Sequence, residues 1–457
     1  MTRSSLSRRH IGHISAGWLM AALAYATTAS AQVVPAAPPD TGIVAATQHS
    51  GRIYPGTPLS LDAAVDESLV SNTALAAATA ASRAAAQRPD IERYLMPPMA
   101  EVQVFQWPIN TANPLNAQVM FGAEQQFPGR GKRALRVARG EEEASMVANR
   151  VAVETVRVTA DVKEAYVQVF TARRLLDFFD EAVGLVRQLG EAAELKYTTG
   201  KITQQDVVKA LVERIRLERE IVMVTEQARM AEARLNTLLG RASDAPVGPL
   251  AFPDTSLLPP LDVAQRIASR QQPMLQDPVI EGRLADADLK VIASERRPDW
   301  VVQGGFMMMP GEWNAVTARV GLTWPSAPWS VKRLAAQRRE AEGRRDAAQA
   351  SSRAIATQTA QMVQEAWVRA TSAAERGTLI ESGLLPRAEH TLELARLGYQ
   401  ADRASFLDVV DTARAVIDIR RDLVQADADR QLAIVALERA MGVGADRARR
   451  SAPEVTP

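Results

Sequence analysis

No proline interrupts the chain from Gly129 to Lys196. As one α-helix that stretch is about 100 Å long at the usual rise per residue. No compact core can enclose such a rod, so it must pack along other helices. Suitable partners lie in the same chain. A shorter helix is predicted from Gln204 to Leu239 and another over 260–296, and end to end they span about the same length. The Pro- and Gly-rich "GRASDAPVGPLAFPDTSLLPP" between them then forms a patch at mid-height. Apolar residues on the shorter helix fall three and four apart, at Val208, Leu211 and Ile215, then Ile221, Val224, Ala228, Ala231, Leu235 and Leu238.

The pattern occurs twice. Leu61, Leu75 and Pro98 of the first half match Leu261, Leu275 and Pro298 of the second. "KEAYV" at Lys163 matches "QEAWV" at Gln364, and "YTTGKITQQDVV" from Tyr197 matches "YQADRASFLDVV" from Tyr399. Leu239-Gly240 matches Met441-Gly442, and the offset drifts by only about two residues across the half. Each half reads helix, two strands, very long helix, turn, shorter helix. In the first, these are a helix over Leu59–Gln87 and strands in "MAEVQVFQW" and "LNAQVMFGAEQQF". In the second, strands lie near Asp299–Met309 and Trp313–Trp324, with helices near Pro328–Leu397 and Ser405–Met441. The expected division is 1–31 export signal, 32–58 extended segment, 59–258 first repeat, 259–444 second repeat and 445–457 tail.

The export signal rests on Arg3, Arg8 and Arg9, an apolar stretch from Ile14 to Ala26, and the small residues Ala29-Ser30-Ala31. No later apolar run is long enough for a membrane-spanning helix. The four strands, however, alternate polar and apolar residues over roughly the nine to eleven positions of a tilted outer-membrane strand. Four strands cannot close a barrel, and an open edge in lipid leaves backbone groups unpaired. Several chains are therefore needed, and three would supply twelve strands.

Charge and composition exclude other classes. Lys and Arg number 54 against 53 Asp and Glu, a net charge of +1, which leaves no basic nucleic-acid footprint. Aromatic residues make up 5%, and there is no cysteine for a disulfide, a thiolate metal site or a lipid anchor. "PGRGKR" lacks the first Gly and the Ser/Thr of a phosphate-binding loop, and no HExxH or GxSxG is present. No enzyme activity, cofactor or resident metal is expected.

The duplicated pattern, the "Y-x-x-G-x-x-[ST]-x-x-D-V" turn, "LLG" closing the first half and "QQFPGRGKRALR" leading into the long helix resemble the TolC family of outer-membrane efflux proteins. The resemblance covers about Leu59 to Gly442. It implies a mainly α chain with a small β part, assembled as a homotrimer: a twelve-stranded outer-membrane barrel continued by an α-helical barrel across the periplasm. It also implies a periplasmic adaptor and an inner-membrane pump of the resistance-nodulation-division type as partners, and outer-membrane lipid around the strands. "GGFMMMPGEWNAVTARVGLTWP" is similar to the Met-rich hairpin of the heavy-metal branch. Drug efflux and type I secretion remain open alternatives, as does an exported helical scaffold without a pore. Strand alternation gives Met307 and Met309 one face and Met308 the other, so the three cannot form one site.

The resemblance also assigns residues. Asp408, Asp411 and Tyr399 match a gate at the periplasmic constriction, although the family's gate arginine is unmatched: Ala404 holds its place, with Arg403 just before. The turns holding Gly200, Lys201, Asp402 and Arg403 are the expected adaptor-docking tips, with Asp402 where the family has Gly. From spacing alone, Thr203-x-x-Asp206 and Ser405-x-x-Asp408 read as helix capping boxes. That reading leaves Asp411 unexplained, since its counterpart in the first repeat is Lys209.

Overall fold

The computed structural model describes residues 52–106, 117–251, 258–309 and 313–443. The expected export signal, most of the extended segment and the C-terminal tail lie outside these residues. The first half contains α1 (Leu61–Ser71), α2 (Thr73–Ala85), α3 (Arg88–Arg93), β1 (Met99–Gln106), β2 (Gln118–Phe127), α4 (Lys132–Thr198) and α5 (Gln204–Leu238). The second contains α6 (Leu261–Gln271), α7 (Asp277–Ser294), β3 (Trp300–Met308), β4 (Ala315–Leu322), α8 (Pro328–Thr378), α9 (Leu385–Gln400) and α10 (Phe406–Met441).

The long helix over 132–198 forms as expected, but three predicted continuous helices are broken. Asn72 divides the first: its amide donates to Ser68 and its side chain caps α2, accepting from the Ala74 and Leu75 amides. Pro273 and Pro278 divide the helix expected over 260–296, because neither can donate to a helical carbonyl. Between α8 and α9 the chain widens into a π-turn over Leu379–Leu384, just ahead of Pro386. A π-turn accommodates the missing N–H and the ring without ending the rod.

α5 runs along the distal part of α4, and α1–α3 along the part nearer the sheet; α10 and α7 occupy the corresponding places on α8 and α9. The packing is a series of small clusters strung along the rods. One joins Val65, Val158, Val162, Tyr166, Leu235 and Leu239, and another Ala264, Val363, Ala366, Leu437 and Ala440. On α5 the apolar positions divide between two faces. Leu217, Val224, Ala228 and Leu235 pack inward, whereas Val208, Leu211, Val212, Ile215 and Val222 stay exposed.

The four strands form one antiparallel sheet in the order β1-β2-β3-β4. Register places Val102 against Phe121, Phe121 against Phe306, and Phe306 against Val316. Trp300 sits between Phe127 and Leu322, and Val302 faces Val320. One face is therefore apolar from edge to edge, and these side chains are exposed. The opposite face is polar: Glu101 bonds Gln303, Arg319 meets Glu124 at 3.2 Å, and Thr317 donates to the Met120 sulfur at 3.3 Å. Met307 lies opposite Met120 on the polar face and Met308 joins the apolar face, while Met309 falls beyond the end of β3.

The sheet is joined to the rods by one buried cation. Lys132, 1% exposed, opens α4 and pairs with Glu295 at 3.0 Å and Asp299 at 2.9 Å. Asp299 also accepts from the Gly129 amide at 2.6 Å. Gly129 is required there, because a Cβ would lie 2.5 Å from the Pro298 carbonyl oxygen.

Candidate gate and docking tips

The ends of the rods farthest from the sheet are two short turns. In the first, the Gly200 amide donates to Tyr197 and the Lys201 amide to Lys196, with Gly200 at φ +74°. In the second, Asp402 takes the matching left-handed conformation at φ +57°. The geometry expected of glycine is thus kept by an aspartate, one of the few other residues that enters this region readily.

Asp402 also joins the two turns. It accepts from Lys196 at 2.6 Å and Lys201 at 3.2 Å, both in the first turn, and these cations hold its carboxyl below the usual range. Lys196 donates to the Tyr399 carbonyl and lies 4.0 Å from the centre of that ring. Tyr399 packs on Phe406 at 5.7 Å and belongs to a core cluster with Leu189, Ala193, Ala210 and Val409. Burial pushes its hydroxyl pKa up, assisted by the negative charges of Asp206 and Asp402. That hydroxyl is buried and makes no hydrogen bond among the described residues. Arg403 is exposed.

At the start of α10 the capping box is closed in both directions. The Ser405 hydroxyl accepts from the Asp408 amide at 3.2 Å, and Asp408 accepts from the Ser405 amide at 3.0 Å. The Ser405 hydroxyl and amide lower the Asp408 pKa. On α5 the equivalent bond from the Thr203 amide to Asp206 is longer, 3.4 Å. Asp411 is exposed one turn beyond Asp408 and forms no ion pair or hydrogen bond among the described residues. Three residues on, Arg414 reaches the buried Glu213 of α5 at 2.6 and 3.2 Å, which raises its pKa; Asp411 adds a smaller contribution.

Of the seven assigned residues, the structure brings Tyr399, Lys201 and Asp402 together through Lys196. Asp408 and Asp411 share the exposed face of α10, and neither is among the charges acting on Tyr399. Lys196, Glu213 and Arg414 were not anticipated. Their partners lie about 200 positions away, beyond any local spacing signal.

The family model described as "Outer membrane efflux protein" matches residues 305–443, which hold β4, α8, α9, α10 and this second turn. In its second half the chain is similar to outer-membrane efflux proteins. It is 24% identical over 296 residues to the cobalt-zinc-cadmium resistance protein CzcC of Cupriavidus metallidurans, covering 64% of this chain and 69% of that one. Its fold matches CusC (TM-score 0.71, 18% identity, 83% of this chain and 91% of that one). It also matches VceC of Vibrio cholerae (TM-score 0.70, 18% identity, 84% and 96%). The family that residues 305–443 match is one of outer-membrane proteins. Among the described residues no helix is long and apolar enough to cross a membrane.

Proposed function

We propose that three copies of this chain form the exit duct of a tripartite efflux system. The observation that carries this reading is the open four-stranded sheet with an apolar exposed face. Both edges, β1 and β4, need partners in lipid, and three copies supply twelve strands, enough to close a barrel. The rods have a matching need. The exposed stripe Val208, Leu211, Val212 and Ile215 on α5, with exposed Leu379 and Leu384 in the π-turn and Leu394 and Leu397 on α9, are apolar surfaces that a neighbouring copy would cover.

In such an assembly Asp408 and Asp411 of each copy would ring one aperture and attract cations. Asp411 is chiefly the gate and selectivity residue, and Asp408 also caps its helix. Tyr399 holds the turn in place. The tips at Gly200, Lys201, Asp402 and Arg403 dock a periplasmic adaptor that links the duct to an inner-membrane pump. Heavy-metal cations are the proposed cargo, supported by the similarity to CzcC. Deleting the gene should lower tolerance to cobalt, zinc or cadmium, and the wild-type chain should restore it. Unchanged metal tolerance with increased sensitivity to apolar drugs would replace metal by drug efflux.

A further inference from the structure

The sheet ends, on the side of the rods, in the apolar row Phe127, Trp300 and Leu322. Just beyond it the chain turns into α8 and presents two more indoles. Trp324 is 64% exposed and Trp329 77%, and they stack edge to face with ring centres 6.1 Å apart. Among the described residues both rings are left largely uncovered. They continue the lipid-facing surface at the depth where an indole keeps its ring in the apolar layer and its N–H in the polar one.

The next residues are cationic. Lys332 and Arg333 are exposed and form no ion pair among the described residues. The first acidic residue on α8 is Glu340, two turns further on and already paired with Arg344. Cations near a helix start act against the helix dipole, so helix stability does not account for them. The opposite end of the sheet differs. Its described flanks, Gln106, Ala117, Met309, Trp313 and Asn314, carry no charge, the sequence from Trp107 to Asn116 has none either, and the sequence between Met309 and Trp313 holds one acid, Glu312, and no cation. Exposed indoles and unpaired cations therefore coincide at the rim facing the periplasm.

We infer that this rim binds anionic phospholipid headgroups of the periplasmic leaflet. Trp324 and Trp329 sit among the headgroups, and Lys332 and Arg333 contact the phosphates. The first turns of α8 thus act as a membrane anchor outside the barrel. The inference rests on the sheet's apolar face meeting lipid.

The test uses the full chain in neutral detergent, with lipid retention read by native mass measurement. Phosphatidylglycerol should be retained in preference to phosphatidylcholine. The variant K332Q/R333Q should weaken phosphatidylglycerol retention by roughly fivefold or more, on the scale expected for basic residues at an anionic surface, and leave phosphatidylcholine unchanged. Trp329→Ser should weaken both. Equal retention of the two lipids, displacement by inorganic phosphate alone, or an unaffected K332Q/R333Q variant would overturn the inference. Carbonate extraction of membranes separates the two readings. A chain that stays in the membrane but shows no headgroup preference refutes only the anchor, whereas a chain that washes out refutes the lipid-facing sheet itself.

Discussion

Replacing Lys132 by Met should loosen the joint between sheet and rods without unfolding the rods. Removing one partner of a buried ion pair commonly costs about 3–5 kcal/mol. Here the loss is smaller for two structural reasons. Glu295 is 32% exposed and keeps Arg136 at 3.1 Å. Asp299, 14% exposed, keeps the Gly129 amide. A local cost of about 2 kcal/mol follows. A chain built of successive clusters does not unfold in one step, so a melting temperature would blur this effect. Hydrogen exchange resolves it. Amides over 128–136 and 295–300 should exchange roughly 30-fold faster in the variant, since about 1.4 kcal/mol is tenfold. Amides in the middle of α4, around Val162 and Val169, should be unchanged. Exchange at the joint within about threefold of wild type would refute the argument that Lys132 holds the sheet onto the rods.

Three further outcomes are expected. Tyr166 is fully buried, its hydroxyl lies 2.9 Å from the Leu59 carbonyl and 2.7 Å from that of Ala251, and burial pushes its pKa up to about 12. The unfolded chain would release this proton first, near pH 10, so stability should fall between about pH 10 and 12, by about 2–3 kcal/mol in total; Tyr166→Phe should lose that slope in alkaline denaturant titrations. Asp411→Asn should leave thermal stability nearly unchanged yet weaken block of the reconstituted pore by multivalent cations, and unchanged block would remove Asp411 from the gate. Gly200→Val should impair export while assembly yield is maintained, because φ +74° resists a β-branched side chain; normal export by this variant and by Asp402→Val would place adaptor docking elsewhere.

Much of the architecture was legible because its signals are local. A proline-free run of this length has few alternatives, and the alternation in "VQVF" and "RVGL" fixed which strand face is apolar. The capping box at Ser405 and Asp408 was readable for the same reason: its bonds span three residues. The helix breaks were not. Asn72 sits in an Ala- and Leu-rich run that supports one continuous helix, and only its double role as the end of α1 and the cap of α2 divides it. The joint and the tips were hidden by distance. "PGRGKR" could be dismissed as a phosphate loop, but the partners of Lys132 lie 163 and 167 positions away. The bond from Lys196 to Asp402 spans 206. At Asp402 the substitution for the family's glycine was visible, while the two lysines that make it useful were not.

The central claim is that the sheet of one chain is a third of a closed barrel. The most direct test is the mass of the purified full chain in mild detergent, together with its conductance in a planar bilayer. The account predicts a particle of three chains, about 140 kDa of protein once residues 1–31 are removed, that forms discrete conducting pores. A stable monomer in which β1 and β4 exchange amide hydrogens as slowly as β2 and β3 would mean that the edges are closed within one chain, and would contradict it.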